Sequence, residues 1–187
     1  MQYAGAQYDR VWTFGNRAGL DFNTTVPTRI TTGMNTREGC ASVSDAAGSL
    51  LFYTDGARVW NRTHQLMPGS TTSIVPIGSA PTASTAQGAL IVPVPEHPDL
   101  YYVFSLTSLE LGANAGRLYY SLVDMRLDNG LGDIVTSEKG IFLDSGLTEH
   151  MTAVGGDMCN IWVLVADRNN VLKAYSIDSG GISAAPV

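Results

Sequence analysis

Apolar positions along this chain fall in short runs rich in Val, Tyr, Phe, Ile and Thr, cut by Gly, Asp, Asn or Pro roughly every eight to twelve residues. Helical periodicity is nearly absent, so the pattern predicts an all-β protein. The runs place strands at Val11–Phe14, Cys40–Ser44, Leu50–Thr54, Arg58–Asn61, Ala89–Val94, Tyr101–Leu106, Leu118–Met125, Gly140–Leu143, Met151–Val154, Ile161–Ala166 and Leu172–Ile177. Between Met67 and Gln87 the chain is rich in Ser, Thr and Pro and carries no aromatic residue, so it reads as a loop over the surface, either ordered against the blades or mobile.

The runs repeat. "CASVSDAAGSLLFYTDG", "LIVPVPEHPDLYYVFSL" and "MTAVGGDMCNIWVLVAD" each read as an apolar strand, a short polar turn, an aromatic-aliphatic strand and a polar exit. A third strand follows each, in "ARVWNR", "RLYYSLVDM" and "VLKAYSID". Sheets of three or four strands joined by long connectors suit a β-propeller. The expected fold is therefore a propeller-type array of about three blades, an incomplete propeller, with a β-sandwich as the alternative. Residues 1–187 form one partial propeller region, with units near 10–67, 87–143 and 149–187 and the 68–86 stretch as a surface loop.

Stacked blades cover both faces of a sheet, so strands can carry large residues on both sides. On this reading Leu51 and Tyr53 face one neighbour and Phe52 faces the other. Asp45 and Gly48 bracket the hairpin turn, Gly48 supplying positive φ and the Asp45 side chain bonding turn amides. Three units fall short of the four to eight blades usual for a closed ring. The last unit ends in the polar tail "SGGISAAPV" and is expected to lack a fourth strand. The array is thus expected to be completed by further blades of a longer chain or by self-association, since open blade faces and strand edges favour pairing.

The same residues carry a resemblance. "WTFGNRAGLDFN" (Trp12–Asn23), "EGCASVSDAAGSLLFYTDGARVWNRTHQLMP" (Glu38–Pro68), "QGALIVPVP" (Gln87–Pro95), "YSLVDMRLDNGLGDI" (Tyr120–Ile134) and "EHMTAV" (Glu149–Val154) stand in order. Together they resemble the N-terminal propeller region of large secreted proteins of gliding, type IX-secreting bacteria. Those proteins often end in PKD-like modules and a gliding-motility-associated C-terminal sorting domain. The likeness runs from about Trp12 to Ile177 and implies a secreted or cell-surface protein with an adhesion or binding role. It carries no catalytic residues. The sorting domain has no counterpart in these residues, and Ala166 and Asp167 stand where a histidine often follows the "IWVLV" strand.

Composition narrows the partners. A net charge of −6 argues against a nucleic-acid backbone, and the thin scatter of Arg58, Arg62 and His64 reads as ordinary surface. No apolar run is long enough for a membrane helix. Ala4-Gly5-Ala6 reads either as the remnant of a secretory cleavage site or as a chance run of small residues. Cys40 and Cys159 are far apart and form no metal-binding or redox pair. They read as buried thiols or as one long-range disulfide.

Candidate chemistry is sparse. Asp124, Asp128, Asn129 and Asp133 could offer oxygens to calcium, yet their spacing misses the EF-hand pattern, and a Gly-rich turn is the preferred reading. Asp45 and Asp55 could serve a glycosidase but read better as turn and strand-end residues. His64, His97 and His150 lie in separate units without ligand spacing. Trp12, Trp60 and Trp162 could stack on sugars, with a place in the blade core preferred. Asn23 and Asn61 match the N-glycosylation pattern incidentally. No catalytic or metal set is assigned and the ligand-binding residues stay open. The expected function is a non-catalytic extracellular binding or adhesion module, for a protein or surface-glycan ligand. The alternatives are a fragment of a propeller glycosidase or lyase, and a structural spacer.

Overall fold

A computed structural model describes residues 7–77 and 84–187. The Ala4-Gly5-Ala6 pattern and the middle of the Met67–Gln87 connector lie outside them. The described residues form an all-β structure of four antiparallel sheets that follow one another along the chain. β1 (Val11–Phe14), β2 (Asn16–Asp21) and β3 (Thr28–Asn35) make the first sheet, and β4 (Ala41–Ser44), β5 (Leu50–Thr54) and β6 (Val59–Asn61) the second. The third comprises β7 (Ala89–Val94), β8 (His97–Leu106) and β9 (Leu118–Asp124), with β10 (Asp133–Ile134) and β11 (Ile141–Asp144) both paired to β9. In the fourth, β12 (Leu147–Gly155), β13 (Ile161–Asp167), β14 (Leu172–Asp178) and β15 (Gly181–Ile182) lie in order. Among the described residues no helix is long and apolar enough to cross a membrane.

Each strand expected from the apolar runs is present, within a few residues at its ends. The unforeseen strands β2, β3, β10 and β15 lack such runs. β2 and β3 read "NRAGLD" and "TRITTGMN" and are held by register, with β2 pairing to β1 and β3 to β2. The expectation that the last unit lacks a fourth strand is corrected by β15. Ile182 pairs with Ile177, and the Val187 amide and carbonyl each bond Ala174 at 3.0 Å. This pairing uses backbone groups alone, which is why a polar tail could supply it. Residues 10–67 hold two sheets, the first and the second.

Three apolar clusters lie between successive sheets. Met34 of β3 meets Tyr53 and Trp60 of the second sheet, joined by Cys40, Leu50 and Leu66. Val43, Phe52 and Val59 meet Tyr101, Val103, Tyr119 and Val123 of the third. On that sheet's other side, Val92, Tyr102, Phe104 and Leu118 meet Leu147, Met151, Val163 and Tyr175 of the fourth. Alternate β8 residues therefore enter two different cores, as period-two side chains on a doubly covered strand must. Met67, Ile74 and Val75 of the connector are also buried against the third sheet, so this part of the expected surface loop is anchored in the core.

One face assignment is corrected. Phe52 and Tyr53 do enter opposite clusters, but Leu51 packs with Phe52, not with Tyr53. The register shifts between Val43 and Ser44, so two β5 residues oppose one on β4. Such a bulge breaks the alternation locally.

The first strands of the four sheets lie side by side: β1 against β4, β4 against β7, and β7 against β12. Ser42 Oγ donates to the Val11 carbonyl at 2.8 Å, and the Ser44 amide to the Tyr8 carbonyl at 2.9 Å. Side-chain oxygens close the hairpins. Asp45 Oδ1 accepts the amides of Ala47 and Ser49, each at 2.9 Å, and Gly48 has φ +89° as the turn requires. Asp167 Oδ1 repeats the device with Asn169 and Val171 at 2.8 and 2.9 Å.

Candidate functional site

The polar candidates turn out to be occupied locally. Asp124 forms a two-pronged pair with Arg126, whose Nε and Nη2 donate at 2.9 and 2.7 Å, and this guanidinium holds the carboxyl below its ordinary range. Asp133 Oδ1 accepts the amides of Gly69 and Ile134 at 2.7 and 2.8 Å. Asp128 and Asn129 carry φ of +47° and +55°, the geometry of a tight turn. Among the described residues no cluster of three or more His, Cys, Asp or Glu could hold a metal ion. Asp55 receives the Ala57 and Arg58 amides at 2.9 and 2.7 Å, while burial pushes its carboxyl up. Asp45 and Asp55 thus both serve backbone turns.

The histidines lie apart, His64 in the turn after β6, His97 at the start of β8 and His150 in β12. Tyr53 Oη and His64 Nδ1 are 3.2 Å apart, His97 Nε2 lies 3.3 Å from the Ser179 carbonyl, and His150 is exposed. Asn61 is buried and its Oδ1 accepts the Thr63 amide at 2.9 Å, whereas Asn23 Nδ2 donates to the Gly48 carbonyl, also at 2.9 Å. Arg62 donates to the Gly130 carbonyl across to the β9–β10 loop. Both cysteines are free: Cys40 is half-buried with its thiol on the Thr13 carbonyl, and Cys159 is exposed. Burial raises the Cys40 thiol above its ordinary value, with Asp55 adding to the effect.

The tryptophans divide. Trp60 is buried and stacks on Tyr53 with ring planes 4° apart. Trp162 is partly buried on the fourth sheet. Trp12 departs from the preferred core reading, being 53% exposed. Its strand belongs to the first sheet, and Trp12 points to the side that the second sheet does not cover.

That open side is the candidate site. Trp12 lies opposite Leu20, which lies opposite Arg29; beside them Phe14, Ala18 and Thr31 form a parallel row. Directly opposed residues share a sheet face. The Trp12 Nε1 donates to the Asp9 carbonyl at 2.8 Å and Phe22 sits against the indole at 5.1 Å, so the exposed ring is held in place. A hollow of about 300 Å³ lies along β2 and β3, lined by residues 16–19 and 29–31 and not by Trp12 or Phe14. Arg17 Nε is tied to the Thr32 carbonyl at 3.3 Å. The face thus offers a fixed aromatic ring with Arg29 in the same cross-strand row, a combination suited to holding a ligand. Asn16, Arg17, Arg29 and Thr31 were missed in the sequence because β2 and β3 carry no apolar run. The only available cue was the alternation of Trp12 and Phe14 with the small polar residues of β1.

The fourth sheet has a matching open side. Val163, Val165, Tyr175 and Ile177 face the third sheet. The alternate residues form rows of Val154, Trp162 and Ser176, of Thr152, Leu164 and Ala174, and of Ala166 with Leu172. Leu172 is 64% exposed and Val154 45%. At the edge of the covered side, Asp144 Oδ2 accepts from Lys173 Nζ and Tyr175 Oη, each at 2.8 Å. Burial opposes ionisation of Asp144, but these two bonds outweigh it and hold the carboxyl below its usual range.

No protein-family profile matches the chain, and comparison with curated proteins and with solved structures finds no match to either.

Proposed function

We propose that the chain is a non-catalytic binding or adhesion module built as a propeller-type array of four sheets, and that the open β1–β3 face is its binding surface. The single observation that carries the binding reading is Trp12, an aromatic side chain fixed by Asp9 and Phe22 yet left more than half exposed on the same sheet face as Arg29. Contiguous exposed aromatic surface on a folded protein marks interaction sites. For the architecture, the support is that the second and third sheets are each covered on both faces, with their first strands in succession. A two-layer sandwich buries one face of each sheet. The secreted or cell-surface setting, in proteins of type IX-secreting gliding bacteria, rests on the sequence resemblance.

The test is a glycan array probed with the labelled chain and with a Trp12→Ser, Phe14→Ser variant, alongside a self-association assay. Retention of a ligand that weakens at least tenfold in the variant supports the reading. Turnover of a bound glycan would move the assignment to a glycosidase or lyase. A wild type that binds neither glycan nor protein would leave a spacer.

A further inference from the structure

We propose that the hollow along β2 and β3 is an anion subsite that takes the carboxylate or sulfate of an acidic sugar, with Trp12 holding a neighbouring ring of the same glycan. This rests on the reading of the β1–β3 face as a binding surface and names the class of glycan it selects.

The hollow holds cations without a counter-charge. Arg17 and Arg29 line it, and none of its lining residues is an acid. Among the described residues the ion pairs are Arg126–Asp124 and Lys173–Asp144, so neither arginine is neutralised. Asp21, the one acid of β2 and β3, lies opposite Val11 and Thr28 and so on the other sheet face from Arg29. Its Oδ1 is taken by the backbone and side-chain amides of Asn23, each at 2.8 Å. Arg17 falls where the β2–β3 register slips between Asn16 and Ala18, and it holds φ +56°. Such bulges re-aim a side chain. The Nε bond to the Thr32 carbonyl fixes the Arg17 arm and leaves its Nη groups for a ligand, while the Arg29 side chain has no partner among the described residues. A guanidinium fork offers two parallel N–H donors to two oxygens of one anionic group.

The indole favours an acidic sugar over an acidic peptide. Trp12, Leu20 and Arg29 share one cross-strand row, which sets the Trp12 and Arg29 backbones two strand spacings apart, roughly 10 Å. Two linked sugar rings bridge such a span, one stacking its apolar face on Trp12 and the next turning its charged oxygens to the arginines. A volume of about 300 Å³ is at the small end of ligand sites and suits a single ring. The chain's net charge of −6 opposes attraction of an anion from afar. At 0.1 M salt, however, acids more than about 10 Å away are largely screened. Contact with the two guanidiniums therefore sets the preference, and the affinity should be modest and salt-sensitive.

Calorimetric titration of the full chain reads the outcome with four probes: a galacturonate hexasaccharide, a sulfated galactan hexasaccharide, the neutral galactan hexasaccharide and a hexaglutamate peptide. At least one acidic saccharide should bind about tenfold more tightly than the neutral one, and the two acidic arms tell carboxylate from sulfate. Arg29→Ala and Arg17→Gly should each remove most of that advantage while leaving neutral binding unchanged; glycine suits φ +56°, so the second variant keeps its turn. Arg58→Ala takes the same unit of charge from the exposed surface of the second sheet and should change nothing. Unchanged far-ultraviolet circular dichroism checks folding. Equal affinity for acidic and neutral saccharides overturns the proposal, as does an Arg58→Ala loss as large as that of Arg29→Ala. Hexaglutamate binding as tightly as the better acidic saccharide would overturn the sugar assignment in favour of an acidic peptide. If the neutral hexasaccharide binds, is lost in Trp12→Ser and gains nothing from acidic groups, this inference fails and the binding reading stands. If none of the four binds, this inference fails together with the glycan form of that reading.

Discussion

The inner and outer sheets of this molecule solve different problems with similar residues. In the third sheet, Tyr101 and Val103 fill one core while Tyr102 and Phe104 fill another. In the first sheet, Val11 and Thr13 are buried while Trp12 and Phe14, on the same short strand, are left open. Aromatic content alone therefore does not mark a core. What decides burial is whether a neighbouring sheet lies on that side, and among the described residues only the inner sheets have neighbours on both.

The sharpest test of this contrast pairs two phenylalanines. Phe104→Ala removes a fully buried ring between the third and fourth sheets and should cost about 3–5 kcal/mol, whereas Phe14→Ala on the open face should cost less than about 1 kcal/mol, both read by urea denaturation. Equal losses would mean that the outer face is covered within the monomer. Next in size is the Asp144 junction on the covered side of the fourth sheet. Asp144→Asn should cost about 2 kcal/mol near neutral pH, because it weakens the bonds to Lys173 and Tyr175. A carboxyl whose folded pKa is depressed contributes fully above its unfolded value near 4 and loses that contribution as pH falls through the folded value. The melting temperature of the wild type should therefore drop towards that of the variant below about pH 4, and a constant gap between them would refute the assignment. A smaller loss than at Asp144 is expected at the β4–β5 turn, which meets the β2–β3 loop at Asn23. Gly48→Ala adds a methyl at φ +89° against the Asn23 side chain and should cost about 1–2 kcal/mol, lowering the melting temperature with little change in circular dichroism.

The strands of the inner sheets were legible because their residues answer to two neighbours, which leaves dense runs such as "LYYVFSL" in the sequence. The Asp45 and Gly48 turn was equally readable, since its chemistry is local and bonded within a few residues. β2, β3 and β15 were not, because pairing there is written in backbone amides and in the partner strand. The same gap hid the candidate site: Arg29 gains its meaning only once β2 and β3 place it in the cross-strand row of Trp12 and Leu20. The Leu51 face was misread because a bulge leaves no mark in an alternating apolar run.

Among the described residues each sheet is assembled from strands consecutive in the chain, none borrowing a strand from another. A ribosome would therefore release every sheet whole before the next begins, and a nascent hairpin need not wait for distant sequence to find its mates. Structures made of local pairings form quickly relative to those that must close long loops first. Errors of strand exchange between sheets, a hazard for interleaved β topologies, are disfavoured here by the order of synthesis itself.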